Sequence, residues 1–123
     1  MLAAGRSAAR APVTAAISQA GVLDLAGARD ENLGSGAVQA FMGDSDAYAQ
    51  ADPSSQIPVS VPVRCIHATD DGTVPISQSI GYVERARKAG ADADLTRVEG
   101  DHFVVIDPAS QAWVRTLEIL EAL

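Results

Sequence analysis

Cysteine is almost absent from this chain of 123 residues: Cys65 is alone, so no internal disulfide can form. That excludes a disulfide-stapled secreted scaffold, and the position of Cys65 within an apolar run marks it as a small buried side chain. Lys and Arg are also scarce, nine against sixteen Asp and Glu, for a net charge of −7. Binding a phosphate backbone needs a concentration of cations, so nucleic acid is not an expected partner. Nor does any apolar stretch approach the roughly 20 residues of a membrane helix, so no membrane association is expected and the chain should be soluble. Histidine occurs only at His67 and His102. With Asp71 and Asp101 these supply residue types found at metal sites, but His67 falls inside a strand and no dense ligand spacing links them. Neither a metal nor a cofactor is expected.

A hydrophobic content of 47% over this length is enough for one core, and the chain reads as a single domain. No Asp or Glu precedes Asp24, while Arg6 and Arg10 punctuate an Ala-rich run, a composition with some likeness to a transit peptide. Against it, no sustained apolar core is present and Pro12 interrupts any helix, so the expected location is cytoplasmic.

In chain order, Leu2 to Arg10 reads as a short helix ended by Ala11-Pro12, because proline restricts the residue before it. Val13 to Ser18, bounded by Pro12 and Gly21, suits a buried strand, with Gly21 to Leu25 as the loop leaving it. Residues 26–62 form an irregular excursion with short helices expected at Ala37–Met42 and Ser45–Ala51. This excursion is either a pocket-forming insertion or a plain connection. Val63–Ala68 is a second strand entered through Pro62. A helix from about Pro75 to Ala89 follows, with Ile76, Ile80 and Val83 at helical spacing and Gly90 as its stop. Asp94–Val98 is a third strand. The last helix is expected to start at Asp107-Pro108, with Asp107 as N-cap and Trp113, Leu117 and Leu120 as the stripe that packs on the sheet.

Strands alternating with helices at these lengths imply an α/β fold with parallel strands and right-handed crossovers. The loops after the strands then share one edge of the sheet, where open α/β sheets carry their sites. Asp71 lies four residues beyond His67, and His102 lies four beyond Val98, so an acid and a histidine are expected on neighbouring loops. An Asp bonded to one imidazole nitrogen leaves the other free to take a proton from a nucleophile. Asp70 is the rival for the acid. Taken singly, Asp70-Asp71-Gly72 is an ordinary turn and His102 an ordinary loop residue; their order and placement favour chemistry. Asp101, adjacent to His102, would favour a protonated ring if it approached it.

The stretch His67-Ala68-Thr69-Asp70-Asp71-Gly72-Thr73-Val74-Pro75 resembles the His-Gly-x-x-Asp-x-x-Val-Pro segment of α/β-hydrolases, most closely the esterase and prolyl-oligopeptidase-like branch. Gly100-Asp101-His102-Phe103 resembles the loop that carries the histidine in that branch, and Ala20 to Leu25 and Ile106-Asp107-Pro108 extend the likeness over nearly the whole chain. The resemblance implies a three-layer α/β/α arrangement around a parallel sheet, corresponding to the C-terminal part of the α/β-hydrolase fold. It implies Asp71 as triad acid, His102 as triad base, no cofactor, and a small-molecule ester or a peptide as substrate.

The nucleophile departs from the pattern. The family order is Ser, Asp, His, with the Ser on a Gly-x-Ser-x-Gly elbow between strand and helix. Gly5-Arg6-Ser7-Ala8-Ala9 has only four residues before it and Pro12 soon after, and Gly34-Ser35-Gly36 lacks a preceding strand. Ser18 is a strand end. The expectation is that residues 1–10 are the tail of the helix behind the elbow, that the serine belongs to an N-terminal half, and that this chain alone is inactive. Another reading is a non-catalytic or assembly module: the strand Val13 to Ser18 would expose an apolar edge, through which the chain forms a homodimer or binds a complementing N-terminal half.

Overall fold

The structure, a computed structural model, describes residues 11–123. The helix expected over Leu2–Arg10 and the candidate Ser7 lie outside the described residues. The central strand is β2 (Val63–Ala68), with β1 (Ala16–Gln19) on one side and β3 (Ala93–Val98) on the other, all parallel. β2 and β3 fall where the apolar runs put them, β3 starting one residue early. β1 begins three residues later than expected, because its pairing with β2 opens at Ala16 opposite Val63 and the Ala16 N–H donates to the Pro62 carbonyl.

β2 is buried on both faces, as parallel strands between helices are. The period of two sends Val63 and Cys65 toward Tyr82, Val83 and Ala86 of α4 (Ser77–Lys88), and sends Ile66 and Ala68 toward Val105 and Ala112. Ala112 belongs to the last helix, α5 (Gln111–Ala122). Sheet, α4 and α5 thus make the three layers. Burial pushes the Cys65 thiol up to about 11, so it stays protonated and unreactive near neutrality.

Between β1 and β2 the excursion contains α1 (Leu25–Asp30), α2 (Ala37–Met42) and α3 (Tyr48–Ala51), with a 3₁₀ turn at Pro53–Gln56. α2 matches its expected span, α3 is shorter than Ser45–Ala51, and α1 replaces what reads as loop. Asp24 caps α1 by accepting the Gly27 N–H at 2.9 Å. The turn before it is held from α4: buried Gln78 accepts the N–H groups of Leu23 at 3.0 Å and Asp24 at 2.8 Å through one oxygen. Buried Asp52 does the same for Leu25 and Ser54. These bonds satisfy backbone donors that would otherwise be stranded under the excursion.

The ends of α4 and α5 differ in how well the sequence announces them. α4 stops at Gly90, whose φ of 82° is the left-handed conformation glycine favours. Its packed face is Ser79, Tyr82, Val83 and Ala86, with Ile76 and Ile80 only part-buried. α5 is capped by Ser110, not Asp107: the Ser110 hydroxyl accepts the Trp113 N–H at 3.0 Å, while Asp107 accepts the Ala109 N–H one turn earlier. Its buried face is Ala112 and Thr116, whereas Leu117 and Leu120 are 45% and 54% exposed. Of the expected stripe, Trp113 is part-buried and Leu117 and Leu120 are exposed. Leu120 and Leu123 line an open hollow with Thr14, Ala15 and Ile17 beside β1. Among the described residues no helix is long and apolar enough to cross a membrane.

Candidate active site

Asp71 and His102 come together at the carboxyl ends of β2 and β3. Two backbone bonds lace these ends: Thr69 N–H to the Val98 carbonyl at 2.9 Å, and Asp70 N–H to the Gly100 carbonyl at 3.2 Å. After Gly100, Asp101 caps a 3₁₀ turn, His102–Ile106, by accepting the Phe103 N–H at 2.9 Å. Its carboxylate is therefore engaged with its own turn. The geometry delivers His102 over the β2 loop, with the Phe103 ring edge-on to the imidazole at 5.4 Å between centroids.

His102 Nδ1 lies 2.7 Å from Asp71 Oδ2. The Asp71 carboxylate is wholly buried, and its other oxygen accepts the N–H groups of Thr73 at 2.9 Å and Val74 at 2.8 Å. Burial pushes the Asp71 carboxyl upward, but the Val74 N–H, His102 and the Thr73 N–H together outweigh it and hold the group below the usual carboxylate range. Asp71 is thus an anion near neutrality. Asp70, the rival, is exposed and has only its backbone in the lacing of the loops.

A carboxylate only accepts, so the proton of this bond sits on His102 Nδ1. In the neutral ring the lone pair is then on Nε2, and the ring is one-quarter exposed. Among the described residues no group hydrogen-bonds Nε2. The end of β1 is close by, since Gln19 Nε2 donates to the Val105 carbonyl in the His102 turn at 2.7 Å. The arrangement can accept a proton at Nε2 while a buried anion stabilises the resulting imidazolium.

The four residues considered for a metal are otherwise occupied: His67 Nε2 faces the Val74 carbonyl at 2.8 Å, and Asp101 caps its turn. Among the described residues no cluster of three or more His, Cys, Asp or Glu could hold a metal. In the sequence His67 is weighed only as a strand residue and metal candidate, and Ser79 is not singled out; both are fully buried, 2.7 Å apart, and His67 adjoins Asp71. The signal was available: the period of two places His67 on the α4 face, and a buried polar ring there needs partners.

No protein-family profile and no curated protein matches the chain. Solved structures do. Esterase 2 of Thermogutta terrifontis, phosphoramylated by tabun, aligns with a TM-score of 0.68 and 26% identity over 89% of this chain and 40% of its own. The propionate-bound form of this esterase, from a Planctomycetes species, aligns at 0.67 and 26% over 90% and 42%. Its butyrate-bound form aligns at 0.69 and 24% over 90% and 42%. The chain therefore spans about two fifths of the length of these esterases. Parallel sheet, flanking helices and these alignments together show that the chain has part of the α/β-hydrolase fold.

Proposed function

We propose that this chain supplies the acid and the base of a serine hydrolase acting on esters or peptides, with Asp71 orienting His102 and the nucleophilic serine coming from polypeptide outside residues 1–123. The contact of 2.7 Å between His102 Nδ1 and buried Asp71 carries the reading. In it, His102 Nε2 removes the serine proton as the hydroxyl attacks the carbonyl carbon, then returns it to the leaving group; water repeats the cycle on the acyl-enzyme. The esterase neighbours favour an ester substrate over a peptide. The chain alone is expected to be inactive, because among the described residues no hydroxyl is hydrogen-bonded to His102 Nε2. The test is hydrolysis of a short-chain ester by this segment expressed with the polypeptide encoded immediately upstream. Asp71→Asn should lower turnover by about 10⁴-fold, as replacing a triad acid with its amide does. Turnover indifferent to both Asp71→Asn and His102→Ala would exclude the reading.

The open side of β1 favours a second, compatible role in assembly. Among the described residues β1 pairs only with β2, and beside it lies the apolar hollow lined by Ile17, Leu120 and Leu123. A further strand parallel to β1 would end at the same sheet edge as Asp71 and His102, where a serine is needed. We assign that position to the polypeptide that carries the nucleophile. Size-exclusion chromatography of the chain alone tests it. Self-association or aggregation relieved by Ile17→Lys is expected, and a monomer unchanged by that substitution counts against it.

A further inference from the structure

His67 is a fully buried titratable side chain that the reaction above does not use. Its Nε2 lies 2.8 Å from the Val74 carbonyl and 3.2 Å from Asp71 Oδ2, and its Nδ1 lies 2.7 Å from the Ser79 hydroxyl. A carbonyl oxygen only accepts, so Nε2 carries a proton whatever the charge of the ring. The backbone of Val74 is consequently held on both sides of its α-carbon: its N–H donates to Asp71 Oδ1 at 2.8 Å, and its carbonyl accepts from His67. The same nitrogen also lies 3.2 Å from Asp71 Oδ2, the oxygen that receives His102, although its N–H is directed at the Val74 carbonyl.

We propose that His67, held by Ser79 of α4, is a positioning residue that fixes the Asp71 carboxylate so that Oδ2 presents to His102 Nδ1. The inference rests on the reading of Asp71 and His102 as an acid–base pair and adds to it a third and fourth participant. Ser79 sets which way the ring faces. With its hydroxyl against Nδ1, Nε2 is directed at the loop; without it, a flipped ring would no longer leave a buried nitrogen unpaired on the helix side. His67 sits on the rigid central strand and Ser79 on the helix packed against it, so the carboxylate is referenced to the core and not to its own loop. A histidine buried only for packing would have no reason to aim its donor at the residue whose N–H holds the Asp71 carboxylate.

The test is the tautomer of His102, read from ¹⁵N chemical shifts of the imidazole nitrogens in the 123-residue chain. Two histidines make assignment direct, and replacing His67 leaves a single ring in view. In the wild type the neutral His102 ring should be overwhelmingly the Nδ1–H form, with a strongly deshielded Nδ1 proton. His67→Phe keeps a ring in the core but no donor, and should lose that proton signal and give a mixed tautomer. His67→Gln can donate to Val74 and accept from Ser79, and should restore both features. Ser79→Ala should weaken them in the same direction, and decides the matter if His67→Phe does not fold. A folded His67→Phe or Ser79→Ala chain with the wild-type His102 signature would overturn the role of His67. If instead the wild type lacks the Nδ1–H preference, or Asp71→Asn leaves it unaltered, it is the acid–base pair that fails.

Discussion

Asp71 Oδ2 and His102 Nδ1 are 2.7 Å apart although 31 residues separate them in sequence. The parallel register of β2 and β3 makes this meeting, since Ala68 stands opposite Val98 and both loops leave from there. The cost of closing that long loop is shared with the whole crossover through α4, and the site uses an edge the fold has already built.

The buried Asp71 anion has a consequence for acid stability. Its folded pKa lies below the unfolded value of about 3.9, so the unfolded chain binds more protons in between. The stabilisation is complete above about pH 5 and is lost as pH falls through the folded pKa. Urea midpoints should therefore fall on acidification over that window, and less steeply in Asp71→Asn. Equal acid slopes in the two proteins would contradict it.

Gly100 should tolerate no side chain. Its φ is 115°, and a β-carbon there would come within 2.5 Å of Val104 Cγ1 in the turn that carries His102. Gly100→Ala is expected to cost about 1–3 kcal/mol, the range for a strained backbone position. Gly90→Ala, at a φ of 82° with open space around it, should cost about 1 kcal/mol from its left-handed backbone alone. Thermal melts of the two variants give the comparison, and the His102 resonances should move only in the first.

Ser110 is a cap with a second task. It accepts the Trp113 N–H and donates its hydroxyl to the Val104 carbonyl at 2.6 Å, joining α5 to the His102 turn. Ser110→Ala should cost about 0.5–2 kcal/mol. Asp107→Ala, which removes only a bond to the exposed Ala109 N–H, should cost less. Denaturant midpoints rank them, and the reverse order would restore Asp107 as the cap.

Gln78 is the peg under the excursion. Gln78→Leu leaves the Leu23 and Asp24 N–H groups without their buried acceptor and should cost about 1–3 kcal/mol. Hydrogen exchange should accelerate at those two amides first, and an unchanged exchange rate would show that the turn is held from elsewhere.

How far the sequence reveals this molecule depends on whether a feature is local. β2, α2, α4 and β3 are legible because their apolar patterns are bounded by Pro62, Gly36, Gly43 and Gly90. The pairing of Asp71 with His102 is legible because strand ends and loop order together place it. What escapes is set by partners distant in sequence. β1 starts where β2 offers a pair, α1 forms where Gln78 and Asp52 hold its entry, and Leu117 stays exposed and Leu120 lines the hollow beside β1 because Ala112 and Thr116 are the buried face of α5. Asp107-Pro108 carries an ordinary helix start signal, yet the chain spends it on a turn before Ser110. His67 reads as one more residue of a strand until Ser79 and Val74 are found beside it.

The most direct measurement is the site of reaction with a fluorophosphonate, mapped by mass spectrometry in a protein containing this segment and the polypeptide encoded upstream of it. The expected result is one modified serine outside residues 1–123, lost in His102→Ala, with no adduct on the 123-residue chain alone. An adduct on Ser7 or Ser35, or labelling undiminished by His102→Ala, would contradict the assignment of Asp71 and His102 as the acid and base of a serine supplied from elsewhere.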